Sequence, residues 1–245
     1  MIKLLTIIIS LVSFSIAENL EISSFNKAKK ILEKEVYSFK RTPRRTVYCD
    51  ATFKRDKRIT DQNGYKSNKY RARSRKIEWE HIVPAENFGR AFSEWRNGHK
   101  KCVKKDGTTF KGRNCARKAN KTFRYMESDL YNLYPAIGSV NAMRSNKKFG
   151  MSTNKKSLGT CNMYFDGKIA EPPDRAKGIA ARAHLYMEET YSKYKLSKSD
   201  RKLYIAWDKK FEVKKDECLR TSIIEKKQKN TNKFVKKKCI SLGYL

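Results

Sequence analysis

The chain has 245 residues, room for one domain of ordinary size or two small ones. Hydrophobic residues make up 39% and aromatic residues 11%, which excludes wholesale disorder. Lys and Arg number 57 against 25 Asp and Glu; the net charge of +32 opposes compaction and points to a polyanionic partner such as nucleic acid.

The single long apolar run lies at the very N-terminus, which excludes a polytopic membrane protein. Lys3 supplies a positive start, residues 4–14 are apolar, and Ser15-Ile16-Ala17 is a small-x-small cleavage pattern before Glu18. This stretch is too short to span a bilayer comfortably and is expected to be a cleaved secretory leader over residues 1–17. Residues 18–245, with no internal repeat and no clear linker, are expected to form a single domain with no stable membrane association. Export makes the cysteines legible. Cys49, Cys102, Cys115, Cys161, Cys218 and Cys239 are even in number, which suggests three disulfides among 15 possible pairings. Cys102 and Cys115 flank a polar loop and are the obvious local pair. No C-x-x-C and no suitably spaced His support a zinc site.

In chain order, residues 22–37 predict a helix, with Phe25, Ala28, Leu32 and Val36 at helical spacing and Ser23 or Ser24 as N-cap. Thr46-Val47-Tyr48-Cys49 predicts a short strand. Residues 77–83 alternate as a strand should, and Pro84 stops them. Residues 97–121 predict a Lys-rich surface loop, and a helix is expected to start at Ser139. Residues 161–170 predict a strand. Residues 174–191 predict a helix with Ala176, Ile179, Ala180, Ala183, Met187 and Tyr191 on one stripe. Residues 198–211 predict another, with Ser197 and Asp200 as a capping pair and Leu203, Trp207 and Phe211 buried. From residue 225 the chain reads as a Lys-rich tail up to Cys239.

The chain has three histidines. His184 lies on the apolar stripe of the 174–191 helix and is expected to be packed or capping. His99 sits in a charged loop and is expected to be solvated. His81 follows Glu80 at the end of a strand, where a base and a carboxylate can line a cleft. Hydrolysing a phosphodiester needs such a base, a hard cation on oxygen ligands, and an Arg that grips the phosphate. Adjacent strand residues point to opposite faces, so Glu80 and His81 share a site only if the strand ends, bends or bulges there.

Glu78-Trp79-Glu80-His81-Ile82-Val83-Pro84-Ala85 with Phe88-Gly89, then Gly112-Arg113-Asn114-Cys115, resembles the bacterial endonuclease I family of periplasmic or secreted nonspecific nucleases. Met126-Glu127-Ser128-Asp129, Asn132 to Gly138, Val140-Asn141 and Arg144-Ser145-Asn146 continue the likeness. Further blocks around Glu171-Pro172-Pro173, Arg182, Trp207 and Cys218 extend it to about residue 239.

The resemblance implies an α+β fold with a ββα-metal (His-Me finger) core, surrounded by helices and stabilised by disulfides. It implies His81 as general base, Glu80 and Asn141 as ligands of one Mg²⁺ (Mn²⁺ or Ca²⁺ substituting in binding), Arg113 as phosphate-binding residue and Glu127 as a supporting acid near the metal. Arg96 and Arg117 remain alternatives to Arg113, because the loop before it is long. It further implies cleavage of double- or single-stranded DNA and of RNA through the phosphate backbone, 5′-phosphate products and a monomer. Beside Cys102–Cys115, bridges Cys49–Cys218 and Cys161–Cys239 are expected. Read without the resemblance, Glu80 fits a surface ion pair, Asn141 a helix cap, Glu127 and Asp129 turn residues, Trp79 the core and the lysine runs a solvated face. The rival from another class is a cationic polyanion-binding protein without catalysis; a nearer one is a nuclease specialised for RNA.

Overall fold

A computed structural model describes residues 18–38, 42–67, 69–156 and 158–245. The expected leader, residues 1–17, lies outside the described residues. Helix α1 (Phe25–Ile31) starts at Ser24, whose hydroxyl accepts from the Lys27 amide at 3.4 Å. It runs into a π-helical turn, Leu32–Val36, and together they bury Ala28, Leu32 and Val36.

The run Thr46 to Cys49 is a turn and not the expected strand. Its side chains are buried as a strand's would be, which is what the sequence pattern reports. The backbone instead folds back: the Asp50 amide donates to the Thr46 carbonyl, the Thr46 hydroxyl accepts from the Ala51 amide, and Asp50 takes φ 57°. The ladder comes just after, between β1 (Thr52–Phe53) and β2 (Ile59–Asp61).

Strand β3 (Ile77–His81) pairs antiparallel with β4 (Leu133–Ile137), from Ile77 opposite Ile137 to His81 opposite Leu133. Between them lie the short helices α2 (Ala85–Gly89), α3 (Ser93–Arg96), α4 (Arg113–Ala119) and α5 (Lys121–Glu127). Helix α6 (Gly138–Arg144) follows β4 without a linker, so β3, β4 and α6 make the expected ββα core. Gly138 is required at the junction: a Cβ there would stand 2.5 Å from the Arg73 carbonyl oxygen and 2.9 Å from a Glu78 carboxylate oxygen. Pro135 is tolerated in β4 because, among the described residues, the sheet has only these two strands.

A second small sheet places β7 (Ile169–Glu171) between β5 (Lys148–Phe149), parallel to it, and β6 (Tyr164–Asp166), antiparallel. The expected single strand over 161–170 is therefore a hairpin, turning at Gly167 with φ 51°. Helices α7 (Asp174–Thr190) and α8 (Lys198–Lys210) match their predicted bounds to within one residue, and the Ser197 hydroxyl caps α8 by accepting from the Asp200 amide at 3.1 Å; of Leu203, Trp207 and Phe211 only Trp207 is buried, with Tyr204 beside it. The Lys-rich tail is not irregular. From residue 225 it completes α9 (Lys215–Gln228) and forms α10 (Lys233–Ser241); the two helices bury Cys218, Ile224, Val235 and Cys239.

Two apolar cores flank the β3–β4 pair. Trp79 and Leu133 face one, with Leu32, Phe123 and Ile224; Tyr134 and Ala136 face the other, with Tyr48, Phe149 and Trp207. The disulfides correct two of the three expected pairings. Cys102–Cys115 forms, but the others are Cys49–Cys161 and Cys218–Cys239. Cys218 and Cys239 sit on successive helices that pack together, and Cys49 lies in the turn that meets the segment before β6. Arg182 on α7, 1% exposed, ties these helices to one another: it donates to Glu217 at 2.7 and 2.8 Å and to Asp208 at 3.2 Å.

Candidate active site

Beside β4, no strand among the described residues pairs with β3; its other edge is engaged at its start, where the Ile77 amide donates to the Lys57 carbonyl at 2.9 Å. A cleft of about 670 Å³ runs along this edge, and all five residues of β3 line it. A strand seen edge-on presents both of its faces, and β3 ends at His81. That is how Glu80 and His81, on opposite faces, come to share one site. Arg113, at the start of α4, and Asn141, on α6, line the same cleft.

His81 is 7% exposed. Its Nε2 lies 2.8 Å from the backbone carbonyl oxygen of Glu127. A carbonyl only accepts, so Nε2 carries the proton and the Nδ1 lone pair is left over. Burial, and next the Arg113 charge, push the imidazole pKa down to about 3, so the ring is neutral at working pH.

Glu80 is 3% exposed, and its Oε1 accepts from the Tyr48 hydroxyl at 2.9 Å and from Arg144 Nη1 at 3.0 Å. Burial raises its pKa to about 6, a rise that Arg144 and the Tyr48 hydrogen bond partly offset. Arg144 also donates to the carbonyls of His81, at 2.7 Å, and Ile82. It thereby clamps the end of β3 to α6. Asn141 donates through Nδ2 to Glu78 at 2.6 Å, and Arg73 grips both oxygens of Glu78 at 2.7 and 2.5 Å.

Arg113 donates through Nε to Glu127 at 2.5 Å. The Glu127 carboxylate, 1% exposed, also takes two hydrogen bonds from Arg117, at 2.7 and 2.5 Å. Among the three arginines left open by the sequence, Arg113 lines the cleft; Arg117 and Arg96 do not, and Arg96 donates to the Arg90 carbonyl at the surface. Glu127 itself is not a wall of the cleft. Its carboxylate holds arginines and its carbonyl holds His81.

The remaining candidates are structural. His184 is 3% exposed, stacks on Tyr204 and has Nδ1 2.6 Å from the Tyr194 hydroxyl. His99 accepts from the Lys101 amide in its loop. Asp129 caps the 3₁₀ turn Leu130–Asn132. Trp79 is in the core, and lysines of the last two helices pair with Glu35, Glu225 and Asp208.

Sequence reasoning gave no role to Tyr48, Glu78 or Arg144, and assigned Phe25 only to helix packing. The pattern Glu78-x-Glu80 put both acids on one strand face, and that was the available signal for Glu78. Arg144 and Tyr48 lie 64 and 32 positions from Glu80, so no local pattern points to them.

Residues 15–239 match the family described as Endonuclease I. Endonuclease-1 of Buchnera aphidicola subsp. Acyrthosiphon pisum is 40% identical over 78% of this chain and 72% of its own. An extracellular deoxyribonuclease of Aeromonas hydrophila is 35% identical over 96% of this chain and 98% of its own. A periplasmic deoxyribonuclease of the same species is 38% identical over 78% and 77%. A family match over residues 15–239, with relatives 35–40% identical over most of both chains, means that this protein belongs to the endonuclease I family.

Proposed function

We propose that the protein is an exported endonuclease, secreted or periplasmic, that hydrolyses phosphodiester bonds of DNA, and of RNA, with little sequence preference. The observation that carries this reading is a neutral His81 of fixed tautomer in one cleft with Glu80, Asn141 and Arg113. The names of the Aeromonas relatives, extracellular and periplasmic deoxyribonuclease, support the substrate and the location. An export leader over residues 1–17 and a single domain over 18–245 agree with them. Among the described residues no helix is long and apolar enough to cross a membrane.

His81 accepts a proton from the attacking water at Nδ1 while the Glu127 carbonyl keeps the ring in place. Arg113, anchored at Nε by Glu127, keeps its two terminal nitrogens for phosphate oxygens. Arg144 and Tyr48 orient the Glu80 carboxylate. Glu80 and Asn141 supply hard oxygen donors from adjoining elements, and both line the cleft. Among the described residues no group of three or more His, Cys, Asp or Glu forms a metal cage. Two protein ligands with water filling the rest suit Mg²⁺, which would neutralise charge developing on the phosphate and the departing 3′ oxygen. Such in-line attack leaves 5′-phosphates. Apart from the buried Arg144, the cleft's cations are Lys29, Lys57, Arg73 and Arg113, which read phosphates and not base edges; this accounts for low sequence preference.

The test is plasmid cleavage by the oxidised protein with Mg²⁺, with chelator, and by His81→Ala. Mg²⁺-dependent nicking that falls about 10²- to 10⁴-fold in His81→Ala is the expected result. Retarded but uncut plasmid in every lane would assign a polyanion-binding protein instead. Cleavage of RNA alone would restrict the substrate.

A further inference from the structure

Helix α1 lies outside the ββα core, yet it sends Phe25 into the wall of the catalytic cleft. The Phe25 ring centroid stands 5.0 Å from that of His81, with the planes tilted by 35°. The Arg113 guanidinium carbon stands 5.5 Å from the same centroid, and Lys29 Nζ stands 4.9 Å from it. One aromatic side chain thus touches both the base and the arginine of the proposed reaction.

Each of those two groups is otherwise tethered at a single side-chain atom. His81 is held at Nε2 by the Glu127 carbonyl, and a single hydrogen bond leaves the ring free to tilt about it. Arg113, whose side chain is 39% exposed, is held at Nε by Glu127. A neighbouring aromatic face removes the remaining freedom of the imidazole by van der Waals contact, and its π electrons attract the guanidinium. Phe25 is half-buried, while Ala28, Leu32 and Val36 carry the burial that docks this helical segment.

We propose that Phe25 is a positioning residue for hydrolysis, holding the His81 imidazole and the Arg113 guanidinium in their working orientations. This rests on the nuclease reading above. Displacing a reacting group by about 1 Å costs up to about 10²-fold in rate, so the effect belongs in kcat.

The experiment compares Phe25→Leu, Phe25→Met and Phe25→Tyr with the unaltered protein, all with their disulfides intact. Ile31→Ala serves as a control, since it removes packing on the same helix away from the cleft. Folding is followed by circular dichroism and Tm, and cleavage of a short duplex with Mg²⁺ gives kcat and KM separately. The aliphatic variants that fold are expected to lose about 10- to 100-fold in kcat with KM changed less than about 3-fold. Phe25→Tyr is expected to restore most of the rate, and Ile31→Ala to lower Tm while keeping kcat. Unchanged kcat in a folded aliphatic variant would overturn the proposal. So would a loss confined to KM, which would make Phe25 a stacking platform, or an equal kcat loss in Ile31→Ala. Absence of cleavage by the unaltered protein would overturn the nuclease reading itself.

Discussion

Glu127 serves His81 and Arg113 with different atoms. Its backbone carbonyl oxygen lies 2.8 Å from Nε2 of the histidine, and its carboxylate binds Nε of the arginine at 2.5 Å. The end of α5 therefore sets the proposed base and the proposed phosphate-binding residue relative to each other. Removing the carboxylate should loosen the arginine and leave the histidine in place.

The pH dependence of cleavage should report Glu80 before His81. Burial holds Glu80 near pKa 6, and its protonated form is a poor cation ligand. His81 stays neutral down to about pH 3. At limiting Mg²⁺ the acid limb of kcat/KM is expected near pH 6, and at saturating Mg²⁺ it should move lower, because the cation favours the carboxylate. An acid limb fixed at the ordinary imidazole value of about 6.5 at every Mg²⁺ concentration would contradict this.

Glu127 should also govern part of the acid stability. Burial raises its pKa, but the Arg117 hydrogen bond and the Arg113 charge outweigh that and leave it lowered. A carboxyl with a lowered folded pKa stabilises the fold above its unfolded value, and that stability is lost as pH falls through the folded pKa. Glu127→Gln is expected to cost about 1–3 kcal/mol at neutral pH, less than for a fully buried pair because both arginines are partly exposed. Denaturant melts at several pH values should show this gap closing as the pH falls below the usual carboxylate range; a gap independent of pH would refute it.

The three disulfides should differ in what they protect. Cys115 is the third residue of α4, two positions after Arg113, and Cys102–Cys115 closes the loop that leads into it. Cys102→Ser/Cys115→Ser should lower stability by about 3 kcal/mol and kcat by at least about 10-fold. Cys218→Ser/Cys239→Ser, on α9 and α10, should lower Tm with kcat retained at temperatures where it is folded. Thorough reduction should therefore silence the enzyme, as expected of a nuclease kept harmless in a reducing compartment. Full activity after reduction would dismiss this.

Arg182 tests the helical scaffold apart from the chemistry. Arg182→Ala leaves Glu217, 6% exposed, as an uncompensated buried charge and is expected to cost about 3–5 kcal/mol. Arg182→Met/Glu217→Leu should recover much of that loss. A Tm within 2 °C of the unaltered protein for the single variant would show that the pair carries little of the stability.

Local chemistry made much of this protein legible in its sequence. Helices α7 and α8 follow from apolar spacing and the Ser197 cap, β3 from the apolar pattern stopped by Pro84, and Cys102–Cys115 from its short loop. Glu80 and His81 stand out at the end of a strand, Arg113 and Asn141 only through the resemblance to the endonuclease I motifs, and the fold brings all four to one cleft. What the tertiary structure alone decided depends on contacts between distant segments. The same buried residues suit a strand or a turn at Thr46 to Cys49, and closure by Asp50 and the bridge to Cys161 selected the turn. Cysteine partners depend on which helices and turns meet, and periodicity along one segment carries no information about that. The Glu127 carboxylate went to Arg113 and Arg117 because a charge buried to 1% exposure needs cations at hand, and α4 supplies both on neighbouring turns. Phe25 reads as helix packing at its spacing; only the docking of α1 beside the cleft along β3 turned its ring toward His81.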